Sequence, residues 1–190
     1  VTPEIKDPPA MNYRATSFGH RAAQLYIDPL SAAILRTGLR RAVRRIVRRN
    51  PDMGVSDFGL IHLSSATPDF LGFWPKDSER DRLHVKGSAE EYGMLIDISL
   101  EDRYLKAIKS SWILQNWTEE SPSRQIEKVH GITPGDLRHR IDLMDWLLYS
   151  SKELIRVDNA FSSEHQEMVQ ALISRLDTLR TRIRHGCLED

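Results

Sequence analysis

Cysteine is all but missing: with Cys187 alone, an intramolecular disulfide and a thiolate metal cluster are both excluded. Net charge is missing too, because 27 Lys+Arg face 27 Asp+Glu, so overall charge selects no partner. No apolar run reaches the roughly 18 to 20 residues that cross a bilayer. The opening Val-Thr-Pro-Glu-Ile-Lys has none of the features of a signal peptide and no initiator methionine, as expected of a piece cut from a longer chain. Nucleotide and metal signatures are lacking: there is no Gly-x-x-x-x-Gly-Lys-Ser/Thr loop, no Gly-x-Gly-x-x-Gly and no His-Glu-x-x-His. No two of the seven histidines show metal-ligand spacing beside a carboxylate. Cys187 has no organised surroundings that would make it a nucleophile. An autonomous enzyme is therefore not expected. A cytoplasmic protein without membrane contact is.

What is present suits helices. At 190 residues and 40% hydrophobic content the chain can bury one core. Residues 1–28 read as an extended piece, proline-rich at first and then a short hairpin or wing turning near Gly19. Asp28-Pro29 starts a helix that runs to about Asn50, where Pro51 stops it. Ser56 caps a short helix, and residues 66–98 read as irregular, broken by Pro68, Gly72, Pro75, Gly87 and Gly93, with Lys76–Arg82 a solvated loop. Ser99 and Asp102 suggest a capping box for a helix to Trp117. A short helix follows at 122–129, then a long one from Pro134 to about Ile155. The last begins at Ser162 or Ser163 and ends at Gly186.

Two helices carry unusual surfaces. The first has Leu35, Leu39, Ala42, Val43, Ile46 and Val47 on one arc. Arg36, Arg40, Arg41, Arg44, Arg45, Arg48 and Arg49 occupy the rest, without one acid. That face is either solvated or docked to another domain, or it attracts phosphate, with Arg41, Arg44, Arg45 and Arg48 as the candidates. On the long later helix, Leu137, Ile141, Met144, Leu148 and Ile155 form the inner arc. Trp146 falls on the opposite side, near His139, Asp142 and Glu153. His139 and Trp146 are two turns apart, about 10.5 Å along the axis. With Arg138 and Arg140 alongside, they could contact successive parts of a single strand. The other reading packs Trp146 beneath the final helix.

Several segments together resemble the archaeal Hjm-type helicases of superfamily 2, relatives of the helicase part of polymerase theta. They are Tyr13-Arg-Ala-Thr-Ser-Phe-Gly19, Leu25-Tyr-Ile-Asp-Pro29, His62 through Thr67-Pro-Asp69, Asn116-Trp117-Thr-Glu119, and Gly131-Ile-Thr-Pro-Gly-Asp-Leu137 with Asp145-Trp146-Leu147. The resemblance implies the end of a winged-helix domain (1–28), then a helical ratchet domain (29–190) cut before a helix–hairpin–helix domain. It implies a mainly α fold, a helical bundle with a short extended or β remnant in front. Trp146 matches the family's stacking tryptophan. The second stacking position is usually arginine in the family and is His139 here, which can stack but lacks guanidinium's fixed charge; Arg138 or Arg140 could supply it.

The function so implied is a single-stranded-DNA-binding ratchet module of an ATP-dependent 3′–5′ DNA helicase in replication-fork repair. The nucleic-acid contacts would be Trp146, His139, Arg138, Arg140 and Asp142, with Arg41, Arg44, Arg45 and Arg48 on the basic helix. ATP and magnesium would belong to the parent's motor domains, with no cofactor or metal in this piece. Partners would be single-stranded DNA and those motor domains, around a monomer. Two alternatives stand beside it: a non-catalytic protein-interaction or interdomain docking module, and the RNA-helicase equivalent.

Overall fold

A computed structural model describes residues 14–48 and 54–186. Helices and three short 3-10 turns make up its regular structure, and there is no strand among the described residues. The mainly α bundle is as expected. The hairpin near Gly19 is not: Ser17–Gln24 form helix α1. The Thr16 hydroxyl accepts from the Gly19 amide at 3.1 Å, so glycine serves an N-cap turn where a strand reversal was expected. Phe18, Ala22 and Leu25 then share one buried side at helical spacing. Tyr26, at φ 55°, ends the helix. The proline-rich opening lies outside the described residues.

Helix α2 (Pro29–Arg48) starts as read, with Asp28 Oδ1 accepting from the Leu30 amide at 2.7 Å. Its Asn50-Pro51 stop lies outside the described residues. Leu35, Leu39, Ala42, Val43 and Ile46 are buried, but Val47 is 43% exposed, at the edge of the arc. Helix α3 (Asp57–Ser65), capped by the Ser56 hydroxyl on Gly59 N at 3.0 Å, is buried from Phe58 through Ser65. It can be enclosed so fully because glycines let its neighbours come close. A Cβ on Gly38 of α2 would collide with the Leu63 side chain, and one on Gly59 with the Gly93 carbonyl.

The stretch expected to be irregular contains helix α4 (Arg80–Glu90), flanked by 3-10 turns at Asp77–Glu79 and Glu91–Gly93. Gly87 had read as a breaker. It sits mid-helix because the Tyr104 hydroxyl occupies the space a Cβ would need. The expected solvated loop is the start of this helix, and Glu79 within it is buried against Lys109, Oε2 to Nζ 2.7 Å. Helix α5 (Glu101–Thr118) begins after Leu100, without a side-chain cap bond. The expected Ser99 box is not formed; Arg80 engages Asp102 at 3.0 Å and Glu101 at 2.8 Å. Leu105, Ile108 and Ile113 are buried as read, and Trp112 partly so.

Helix α6 (Ser123–His130) ends at Gly131, φ 61°, the left-handed position glycine tolerates. Helix α7 (Pro134–Arg156) is central and packs on α1, α2, α3 and most extensively on the last helix, α8 (Gln166–His185). Lys152 pairs with Asp177, and Asp145 with Arg180 and Arg184, so α7 and α8 run antiparallel. Val169, Leu172, Ile173, Leu176, Leu179 and Ile183 are all buried. At Gly186 the chain turns with φ 45°; Trp117 fills the space beside it and donates from Nε1 to the Ile183 carbonyl at 2.8 Å. Among the described residues no helix is long and apolar enough to cross a membrane.

Candidate nucleic-acid interface

The N-terminus of α7 is held by a reciprocal cap. The Thr133 hydroxyl accepts from the Asp136 amide at 3.2 Å and donates to Asp136 Oδ2 at 2.7 Å. That hydroxyl, then Arg140, holds the Asp136 carboxyl below its usual range. Pro134 at the first turn presets the helical φ. The apolar side of the helix is sealed: Leu137, Met144, Leu147, Leu148, Leu154 and Ile155 are buried, with Ile141 and Leu143 packed at the edge.

The opposite stripe, His139–Trp146–Glu153, changes character along its length. His139 is exposed, as are Arg138 and Asp142. Trp146 is half-buried, its ring packed against the core rather than standing free. Glu153 had read as polar surface but is buried, bonded to Arg21 of α1 and to Arg156 at 2.8 Å. Burial would raise its pKa, but the Arg21 hydrogen bond and charge hold it below the usual value. Helix α1 thus closes one end of the stripe and leaves the His139 end open. Arg140 is bound within the chain, Nε to the Leu71 carbonyl at 2.8 Å, and its guanidinium lies over the Phe73 ring, 4.7 Å from the centroid.

The α2 arginines are largely occupied. Arg36 and Arg40 both grip Asp158 through two bonds each, Arg40 at 2.7 Å for both. Burial alone would raise that carboxyl, yet the two guanidinium groups pull it down to about 2. Arg41 pairs with Asp97 at 3.0 Å. Arg45 donates to the carbonyls of Tyr92 and Met94 at 2.9 and 2.7 Å. Arg44 is exposed, with no ion pair or hydrogen bond among the described residues. The side chain of Arg48, like Arg49 and Cys187, lies outside the described residues.

Asp158, Glu79 and Lys109 each anchor the fold from a buried position. Nothing in their local pattern marks an acid or lysine for burial; only the partner arriving from another helix does. Two histidines are likewise buried. His62 is pushed down to about 4 by burial, and His130 to about 4 by burial and then by Arg82 and Lys109.

Comparison with known proteins places this chain among helicases. The family described as archaeal helicase, domain 4, matches residues 58–186. The chain belongs to that family. Relatives named "ATP-dependent DNA helicase Hel308" align along most of it: 28% identity in Pyrococcus horikoshii over 93% of this chain, 31% in Thermococcus kodakarensis over 93%, and 28% in Pyrococcus abyssi over 90%. The aligned region is only 23%, 15% and 22% of those proteins. The sequence has no glycine-rich phosphate loop, and no three His, Cys, Asp or Glu side chains among the described residues are placed to hold a metal ion.

Proposed function

We propose that this chain is the strand-gripping ratchet module of an ATP-dependent 3′–5′ DNA helicase that acts at stalled or branched replication forks. The observation that carries the reading is the open half of the α7 stripe: exposed His139 and half-buried Trp146 are two turns apart on a helix whose other side is locked in the core. A rigid helix with one flat group packed upright and a second one free can hold successive bases of a strand, whatever their sequence. Trp146 is the principal base contact and His139 the second. Arg138 attracts phosphate directly, Asp142 borders the track, and Arg140 fixes the neighbouring loop while adding positive field. ATP and magnesium serve motor domains elsewhere in the parent protein, which push the strand while α7 resists its return.

Trp146→Ala tests this by anisotropy with a labelled single-stranded oligonucleotide at two salt concentrations. The expected loss is about 1–3 kcal/mol at both salts, the worth of one stacked base. Equal binding by a folded variant sinks the reading.

A second reading, docking to other domains, has its own observation: Tyr26, Leu30 and Val47 stand exposed beside the arginines of α2. On that reading oligonucleotide binding is weak and indifferent to Trp146.

A further inference from the structure

A cavity of about 350 Å³ opens between α4, the end of α6 and the segment leading from Trp74, and the α7 reading makes no use of it. Lys76, Arg82 and Lys128 line it, together with Glu79, His130 and Gly131. The one carboxylate is already engaged: Glu79 Oε2 accepts from Lys109 Nζ at 2.7 Å and from the Lys76 amide at 2.8 Å. Lys76 and Lys128 have no ion pair or hydrogen bond from their ammonium groups among the described residues. The cavity is therefore a positive concavity with its own acid neutralised.

His130 adds a directional donor. It is 1% exposed, and Asn116 Nδ2 lies 3.2 Å from its Nε2. An amide NH₂ can only donate, so Nε2 is the acceptor and the ring proton sits on Nδ1. That Nδ1 is buried and has no partner. A buried N–H without an acceptor, in the wall of a cavity ringed by cations, is complementary to an oxyanion and repels a metal ion. Burial and the nearby Arg82 and Lys109 keep the ring neutral, so it donates one proton without adding charge.

Two residues before Lys76 in the chain stands an exposed indole. Trp74 is 63% exposed, with Lys106 Nζ 5.1 Å from its ring. Its carbonyl accepts from Lys109 Nζ at 3.2 Å, the same ammonium that holds Glu79. The platform and the cavity thus share one buried anchor. A phosphate site with an exposed aromatic two residues away in the chain is the pairing that a single strand satisfies and a free anion does not.

We propose that this cavity binds a backbone phosphate of a single-stranded nucleic acid, with Trp74 as the adjoining base platform, at a site separate from Trp146. The choice of ligand rests on the strand-binding reading; the anion site does not.

The full chain, labelled with ¹⁵N, is titrated with inorganic phosphate and, separately, with a short single-stranded oligonucleotide. Both should move the His130 Nδ1 resonance to saturation. Replacing the exposed pair by Lys76→Gln with Lys128→Gln should abolish the phosphate shift and weaken the oligonucleotide about tenfold. The slope of log affinity on log salt should fall by about one to two. Trp74→Ala should weaken the oligonucleotide several-fold and leave inorganic phosphate unaffected. No movement of His130 with either ligand overturns the proposal. So does a phosphate shift with unchanged oligonucleotide affinity in the double variant, which would make this a free-anion site. Trp146→Ala run in parallel separates the two readings: if it binds normally while the lysine variant is weakened, the α7 grip fails and the cavity stands.

Discussion

Two helices present cations and flat groups to the outside of their wheels, and the fold uses them in opposite ways. On α2, Arg36, Arg40, Arg41 and Arg45 reach across to other segments, to Asp158, to Asp97 and to the carbonyls after α4. On α7 the N-terminal half keeps Arg138, His139 and Asp142 in solvent, and only Arg140 is tied down. A run of arginines is thus poor evidence for a phosphate face when buried or orphaned acceptors lie within reach of the planar, many-donor guanidinium. A shorter, sparser stripe beside a capped helix start is better placed, because Arg138, His139 and Asp142 stay exposed there.

Acid breaks this comparison most widely, since it spares the arginine staples and attacks the buried imidazoles. Unfolded histidine takes a proton near pH 6.5, whereas His62 and His130 do so only near 4 in the fold. Below 6.5 the unfolded state holds more protons, so stability falls as pH drops and levels off near 4. The loss should be on the order of 3 kcal/mol for each ring, read as a falling urea midpoint between pH 7 and pH 4.5. Asp158 behaves oppositely in position: its carboxyl, ordinarily near 3.8, is held near 2. Its stabilisation is complete above about 4 and is lost only as pH falls toward 2.

Removing the staple itself should cost somewhat less. Asp158→Ala leaves Arg36 and Arg40 facing each other without their acid, and about 2–3 kcal/mol of stability should disappear in urea unfolding. Oligonucleotide affinity should stay put, because Arg36 and Arg40 are structural. A large affinity change would move the strand onto α2. The smallest effect sharpens the α7 side: His139→Arg adds a fixed charge to an exposed position and should tighten single-strand binding by about 0.5–1 kcal/mol at low salt, with less gain at high salt. Anisotropy at two salts decides it.

Much of the helix grammar was readable directly. Asp28-Pro29, Ser56, Thr133-Pro134, Gly131 and Gly186 each mark a helix boundary where caps and glycine conformations require one, and they stand there in the fold. The buried arcs of α7 and α8 followed from their period. The misreadings share one cause. Gly19 reads in the sequence as a hairpin turn and Gly87 as a breaker, but Gly19 completes a Thr16 cap and Gly87 makes room for Tyr104. A glycine's meaning depends on what approaches it, and the approaching group can be distant in sequence.

The same holds for the candidate site. The alignment of His139 with Trp146 is a property of the α-helical repeat, so it follows from their spacing of seven residues. How far each reaches solvent was decided by tertiary packing: α1 covers Glu153, the core edge takes half of Trp146, and His139 stays open. Likewise, the count and order of arginines on α2 were plain in the sequence, while their engagement depended on Asp158 and Asp97 arriving from other parts of the chain. Local periodicity sets direction along a helix. Which directions end in water is set only when the other helices have packed.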